Sequence, residues 1–484
     1  MSIDLQTLTI TKAHQALQAG DFSVRELVDA YLSVIEEKND ELNVYLNLHT
    51  DIDEQVEKAQ GMFADGTATE LTGIPAGLKA NLMRKGQVAN ASSKILENYK
   101  AAYTATVVQK LEDQGVVFLG ATNMDEFAMG SSTENSAFGP TKNPYDVTRV
   151  PGGSSGGSAA AVSANMALFS LGTDTGGSIR QPAALCGNVG LKTTYGGVSR
   201  YGAIAMGSSL DQIGPFTKKV ADSRIVWEAI KGQDSRDMTT ISNDHWEQSS
   251  AKDSYSIAIP EDFLEGVEPQ VLEVFNAAVG KLESAGHSIH KVSIPSLRYG
   301  LPVYYVVMPA EVSSNLARYD GIRYGSQVEG DNLLDTYIKT KSQGFGAESK
   351  RRIMLGTYIL SAGYDDKFYT QALALKEKMK QELEEIYTQH DFVLTPTTPT
   401  AAFKFGEKSN DPLQMYLSDI FTIPTNLAGT CGLSLPCGFS REGLPIGLQL
   451  IGQPFAEAEI LQAAYAFEQA TDWANKVPAL SRDL

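Results

Sequence analysis

Four glycines and three serines crowd into Pro151-Gly152-Gly153-Ser154-Ser155-Gly156-Gly157-Ser158-Ala159-Ala160, where an alanine-rich stretch begins. Glycine accepts positive φ and lets backbone approach other groups closely, so this stretch predicts a tight loop opening onto a helix. A second such loop, Gly172-Thr173-Asp174-Thr175-Gly176-Gly177-Ser178-Ile179-Arg180, leaves an apolar run and opens a short helix. Its successive N–H groups are placed to form an anion nest. An amide carbonyl becomes an oxyanion when attacked, so a serine whose own turn presents converging donors unites nucleophile and stabiliser. Ser178 meets that requirement best.

A serine hydroxyl is a weak nucleophile at neutral pH and needs a base. The histidines, His14, His49, His245, His287, His290 and His390, stand in polar or helix-exit contexts without a motif. Lys79 lies instead in Gly73-Ile74-Pro75-Ala76-Gly77-Leu78-Lys79-Ala80-Asn81, an apolar and strand-like context. Burial there lowers the pKa of an amine and turns it into a base.

Other readings of the same residues are weaker. Gly152-Gly153-Ser154-Ser155-Gly156 fits the nucleophile-elbow pattern, but Pro151 and a polar segment replace the strand an elbow requires. Gly172 to Gly177 has phosphate-loop spacing, but Ser178-Ile179 stands where Lys-Ser/Thr must be. His287 and His290 lack a third metal ligand, and no signature surrounds Cys186, Cys431 or Cys437, so metal chemistry and a cysteine nucleophile have little support.

The surroundings of the loops predict an α/β fold. Ser23 and Glu26 form a capping box before Val24, Leu27, Val28, Tyr31, Leu32 and Ile35, which recur at helical spacing. Strands are expected at 116–119, 167–171, 256–259, 288–292, 392–394 and 447–451, and helices at 51–63, 158–166, 269–285 and 364–387. Forty basic against fifty-eight acidic residues give a net charge of -18, which repels nucleic-acid phosphates and anionic lipid. Neither a targeting segment nor a run of ~20 apolar residues is present. The three cysteines form no CxxC pair, and together these features predict a cytoplasmic protein.

With both loops and Lys79 in view, the chain resembles the amidase signature family over nearly its whole length. Within it, Met124-Asp125-Glu126-Phe127-Ala128-Met129-Gly130, Arg351-Arg352-Ile353-Met354-Leu355-Gly356-Thr357 and Asn426-Leu427-Ala428-Gly429 are most similar to the glutaminase subunits of bacterial tRNA-dependent amidotransferases. The resemblance implies a large mixed central β-sheet covered by helices on both faces, in a single amidase domain over 1–484. An N-terminal helical segment, 1–70, would precede a catalytic core, 71–484. It implies a triad in which Ser178 attacks, Ser154 relays the proton and neutral Lys79 accepts it, with a cis peptide before Ser154. Backbone N–H groups of Thr175, Gly176, Gly177 and Ser178 would form the oxyanion hole.

The same resemblance implies that Arg352 pairs with the α-carboxylate of glutamine or asparagine, that Asp419 holds its α-ammonium, and that Tyr304 lines the pocket. It implies no metal or cofactor in this chain. ATP and magnesium belong to a tRNA-binding partner, tRNA is reached only through that partner, a small stabilising subunit completes the assembly, and no membrane is involved. This chain departs from the family's usual pattern at Ala80, where aspartate commonly follows the lysine, at Thr193, and at Thr430-Cys431. A stand-alone amidase for small amides shares all the chemistry, and Ala80 motivates a third reading, an inactive scaffold of the same fold.

Overall fold

Residues 3–242, 245–246, 252–361, 365–408, 411–476 and 478 are described by a computed structural model. Their strands are β1 (Tyr45–Leu48), β2 (Pro75–Lys79), β3 (Val117–Thr122), β4 (Phe169–Asp174), β5 (Val189–Lys192), β6 (Gln212–Thr217), β7 (Ser256–Pro260), β8 (Ser288–Val292), β9 (Phe392–Pro396), β10 (Cys431–Phe439) and β11 (Pro445–Gly452). They form one mixed sheet in the order β1-β3-β2-β4-β6-β5-β10-β11-β9-β7-β8. Parallel pairing joins β3, β2 and β4 on one side and β9, β7 and β8 on the other, with antiparallel pairs between. Every residue of β2, β3, β4, β6, β9 and β11 is buried, and since neighbouring side chains in a strand point to opposite faces, both faces are covered.

The site follows from this topology. Because β2 and β4 are parallel neighbours, paired Leu78 to Leu171, their carboxyl ends lie side by side, with Lys79 ending one and Asp174 the other. Open sheets of this kind place chemistry outside those ends. Between the strands in sequence runs the helix Gly156–Ser163, all eight of its residues buried, packed on β2, β3, β4 and β6. Its small residues permit that approach: a Cβ added to Gly157 would stand 2.4 Å from the Asn123 carbonyl oxygen.

Two apolar cores flank the sheet. One packs Leu27, Tyr31 and Ile35 of the helix Val24–Leu42 together with Val117, Phe169 and Leu171. The other gathers Phe275, Val307, Met379, Phe392, Leu433 and Leu450 from later helices and strands. The expected N-terminal helical segment needs one correction, because β1 within it pairs antiparallel with β3 and extends the sheet. The expected strands at 116–119 and 167–171 lie instead at Val117–Thr122 and Phe169–Asp174, and the helix at 158–166 starts earlier, as Gly156–Ser163. Glycine misplaced them: Gly120 and Gly172 are not strand ends but points of close crossing, where a Cβ would stand 2.3 Å from Asn47 O and 2.6 Å from the Phe216 ring. The helix expected at 364–387 is Asp365–Tyr387, and Tyr364 lies outside the described residues.

Candidate active site

Lys79 is fully buried, and its Nζ lies 2.9 Å from Ser154 Oγ, 2.7 Å from Ser155 Oγ and 2.8 Å from Thr173 Oγ1, with the Thr173 carbonyl at 3.3 Å. No carboxylate among the described residues touches it. Burial lowers its pKa to about 7 against the weaker opposing pull of Asp125, Asp174 and Asp211. A neutral amine has two N–H donors and one lone pair. Ser155 gives its own hydrogen to the Thr173 carbonyl at 3.1 Å, so towards Lys79 it can only accept. Thr173 Oγ1 already accepts from Asn81 Nδ2 at 3.1 Å and takes a second hydrogen from Lys79. With its two N–H groups on Ser155 and Thr173, a neutral amine would keep its lone pair for the Ser154 hydroxyl. Ser155, Thr173 and Asn81 were not singled out from sequence, because none stands in a pattern that marks it as a lysine partner.

The backbone around Ser154 is held from three sides. The Gly153–Ser154 peptide is cis, as the family resemblance implied. Gly153 N donates to Gln181 Oε1 at 2.9 Å, Asp125 N donates to the Ser154 carbonyl at 3.1 Å, and the Thr133 hydroxyl donates to the Gly152 carbonyl at 2.7 Å. The Gln181 contact ties this loop to the one bearing Ser178, since Gln181 N in turn donates to Gly177 O at 2.8 Å.

Ser178 is 7% exposed at the exit of β4, and its hydroxyl makes no hydrogen bond to a described residue, Ser154 included. The structure therefore joins Lys79 to Ser154 and leaves Ser178 as the open end of the series. Of the four expected oxyanion donors, Gly177 N is engaged, giving its hydrogen to Asp174 Oδ1 at 2.9 Å. The N–H groups of Thr175, Gly176 and Ser178 meet no acceptor among the described residues. Asp174 shapes this loop: its carboxylate also accepts from Ile179 N at 3.1 Å and pairs with the fully buried Arg180 at 3.0 Å. Burial alone would raise Asp174, but the Arg180 guanidinium holds it down at about 2. Asn426, from the motif near the C-terminus, donates to the same carboxylate at 2.9 Å and accepts from Arg180 at 2.6 Å.

Beside the loop, a Cβ on Gly176 would stand 2.8 Å from the Tyr304 ring, and one on Gly177 would stand 3.3 Å from Asp419 Oδ1. Tyr304 and Asp419 therefore border the glycines that precede Ser178. Asp419 Oδ2 accepts from the Ser131 hydroxyl, while Oδ1 is buried without a partner among the described residues. Burial raises Asp419 to about 7 against that hydrogen bond. Arg352 is 3% exposed on the helix Ala347–Ile359, with Nε paired to Glu348 at 2.7 Å, not to Asp419. Its guanidinium sits 5.4 Å from the Tyr305 ring centre, and Nη1 and Nη2 have only Met308 Sδ at 3.8 Å and the Tyr305 hydroxyl at 3.4 Å among the described residues. The two-pronged end of Arg352 is thus lightly engaged, and it is the end that fits a carboxylate.

Among the described residues, no three His, Cys, Asp or Glu side chains gather as metal ligands. All three cysteines are buried with thiols pushed well up by desolvation, the reverse of a nucleophilic thiolate. A family model described as Amidase matches residues 26–461.

The chain belongs to the amidase family.

Amidase relatives with this chain's full span are close. A glutamyl-tRNA(Gln) amidotransferase subunit of Microcystis aeruginosa is 48% identical over 480 residues, 98% of this chain and 99% of that one. Its counterpart in Thermoanaerobacter pseudethanolicus is 49% identical over 486 residues, 99% of each. The crystal structure of the corresponding glutamyl-tRNA(Gln) amidotransferase subunit from Thermotoga maritima superposes with a TM-score of 0.79 at 41% identity, over 97% of this chain and 96% of that one. A peptide amidase from Stenotrophomonas maltophilia shares the fold at a TM-score of 0.82 but only 27% identity, over 99% of each chain. The sheet with its helices on both faces is thus the amidase fold.

Proposed function

We propose that this amidase is the glutaminase subunit of a glutamyl-tRNA(Gln) amidotransferase, hydrolysing the carboxamide of glutamine or asparagine and passing ammonia to a partner. The observation that carries the chemistry is the buried Lys79 amine, touched by no described carboxylate and 2.9 Å from the Ser154 hydroxyl. Neutral Lys79 takes the Ser154 proton as Ser154 takes that of Ser178, and Ser178 Oγ adds to the carboxamide carbon. The oxyanion meets N–H groups of the 175–178 turn. Collapse expels ammonia, protonated back along the same series, and water then cleaves the acyl-Ser178 ester by the reverse relay. Catalytic hydrogen bonds often close only around substrate, which accommodates the open Ser178 hydroxyl.

Arg352 and Asp419 select a free amino acid in this reading, one charge for each end of the substrate, with Tyr304 between them. The use of the ammonia rests on the relatives, which are named as one subunit of an enzyme acting on tRNA. The chain's net charge of -18 supports tRNA being held by a partner, which would also bind ATP and magnesium, with a small third subunit completing the complex. No helix among the described residues is long and apolar enough to cross a membrane. The test is ammonia release from glutamine by wild type and Ser178→Ala, alone and co-expressed with the partner subunits. Release by wild type that Ser178→Ala abolishes, and coupling to amidation of Glu-tRNA(Gln) only in the complex, are the expected results. Full activity in Ser178→Ala ends the proposal.

A further inference from the structure

A cavity of about 290 Å³ opens where the N-terminal turn, the end of the helix Gly156–Ser163, the exit of β6 and the C-terminal segment meet. Lys12, Lys218, Lys219 and Lys476 all line it, and no aspartate or glutamate among the described residues does, in a chain whose net charge is -18. None of Lys12, Lys218 and Lys476 forms an ion pair with a described carboxylate. The amides of Asn165 and Asn475 between them turn their oxygens to the lysines. Asn165 accepts from Lys218 through Oδ1, and Asn475 accepts from Lys219 through Oδ1 at 2.6 Å. Both amides therefore keep their N–H₂ groups for something else. Lys218 Nζ also donates to Leu5 O at 2.5 Å, and Lys12 Nζ to Thr7 O at 3.3 Å, so backbone fixes two of the ammonium groups in place. Asp4, Asp222 and Glu468 act on these lysines from outside the lining.

From this cavity, lined by four lysines and by no described carboxylate, we infer a binding site for a phosphate group, distinct from the amidase centre. Several ammonium groups and amide donors around one small space suit the three or more oxygens and near-double charge of phosphate. Burial lowers Lys218 to about 7, and a bound anion would restore its charge. The probe is inorganic phosphate, titrated calorimetrically into the full chain in 0.15 M KCl, where diffuse surface attraction is screened. One saturable site with Kd of ~1 mM or tighter is expected, unchanged in Ser178→Ala. Lys12→Gln with Lys476→Gln, both at exposed positions, should weaken it at least tenfold while ammonia release is kept. Displacement of phosphate by ATP at lower concentration would identify a nucleotide as the source, and displacement by sulfate alone a free tetrahedral anion. Absence of saturable heat, or equal affinity in the double variant, overturns the site.

Discussion

In the proposed relay Lys79 acts as a base only while it is uncharged, and the hydroxyls of Ser154, Ser155 and Thr173 surround its amine. The rate of the bound complex should therefore rise with pH through about 7 and level off as the amine loses its proton. Lys79→Met is expected to lower kcat for ammonia release by ~10²–10⁴-fold, the range of a lost general base. Ser155→Ala removes one acceptor for Lys79 and frees the amine to rotate. A loss of about fivefold in kcat with little change in KM is expected, since one such hydrogen bond is worth ~1 kcal/mol. An unchanged kcat would show that Ser155 does not orient the amine. Asp419 adds a second ionisation near 7, in the free enzyme. As pH falls through that value its carboxylate is protonated and loses its hold on the substrate ammonium, so KM for glutamine should rise. In Asp419→Asn this limb of kcat/KM should vanish while the kcat limb remains. Lys79 and Ser154, which the fold brings to 2.9 Å, could be singled out in sequence because each sits in a locally marked stretch, as does Ser178. Ser155 passed as one more loop serine and Thr173 as part of a turn, since their contacts to Lys79 join three separate segments.

In the loop after β4, one element rather than one residue holds Ser178, the proposed nucleophile. Asp174 anchors its N–H groups, Arg180 and Asn426 hold Asp174, and Thr422 Oγ1 donates to Gly176 O at 2.7 Å. Gly177 adopts φ of +137°, and a Cβ there would lie 2.1 Å from Thr422 Oγ1. Gly177→Ala must move the loop, so a drop in kcat of ~10²-fold or more is expected from displaced oxyanion donors, with circular dichroism near wild type. Removing one partner of the buried pair is a different injury: Asp174→Ala strands Arg180 and should cost ~3–5 kcal/mol, read as a lower urea midpoint. The helix Ala347–Ile359 is a further case. Glu126 accepts from Gly346 N at 2.8 Å and from the Ser93 and Ser349 hydroxyls, fixing the start of the helix that carries Arg352. Elements with a clear period, such as Val24–Leu42, were readable in advance. The helix Gly300–Asn315, with Pro309 inside it and apolar residues all round, was not, and neither was β10, whose glycines and Pro436 mask a nine-residue central strand. Tertiary packing, not local pattern, decides both.

At the scale of the whole molecule, buried ionisable groups, Lys79 and Asp419 of the site among them, set how stability responds to pH. Lys79, Lys192 and Lys218 each fall from an ordinary 10.5 to about 7 through burial. Between those values the unfolded chain binds more protons than the folded one, so stability rises with pH. Asp222 and Asp419 run the other way, raised by burial from 3.8 to about 7. From pH 4 to 7 the folded chain holds the extra protons, and these groups lower stability as pH rises. Both sets place their least favourable point near neutrality, where a neutral lysine is needed for catalysis, which is the trade-off expected of a site that keeps a base buried. The contribution of Lys79 is separable. Urea unfolding at pH 7, 8 and 9 should show the midpoint climbing more steeply in wild type than in Lys79→Met, because the variant has lost one group that the unfolded chain protonates. Equal slopes would mean that Lys79 is charged in the folded protein across this range, and with a charged amine the relay from Ser178 through Ser154 has no acceptor.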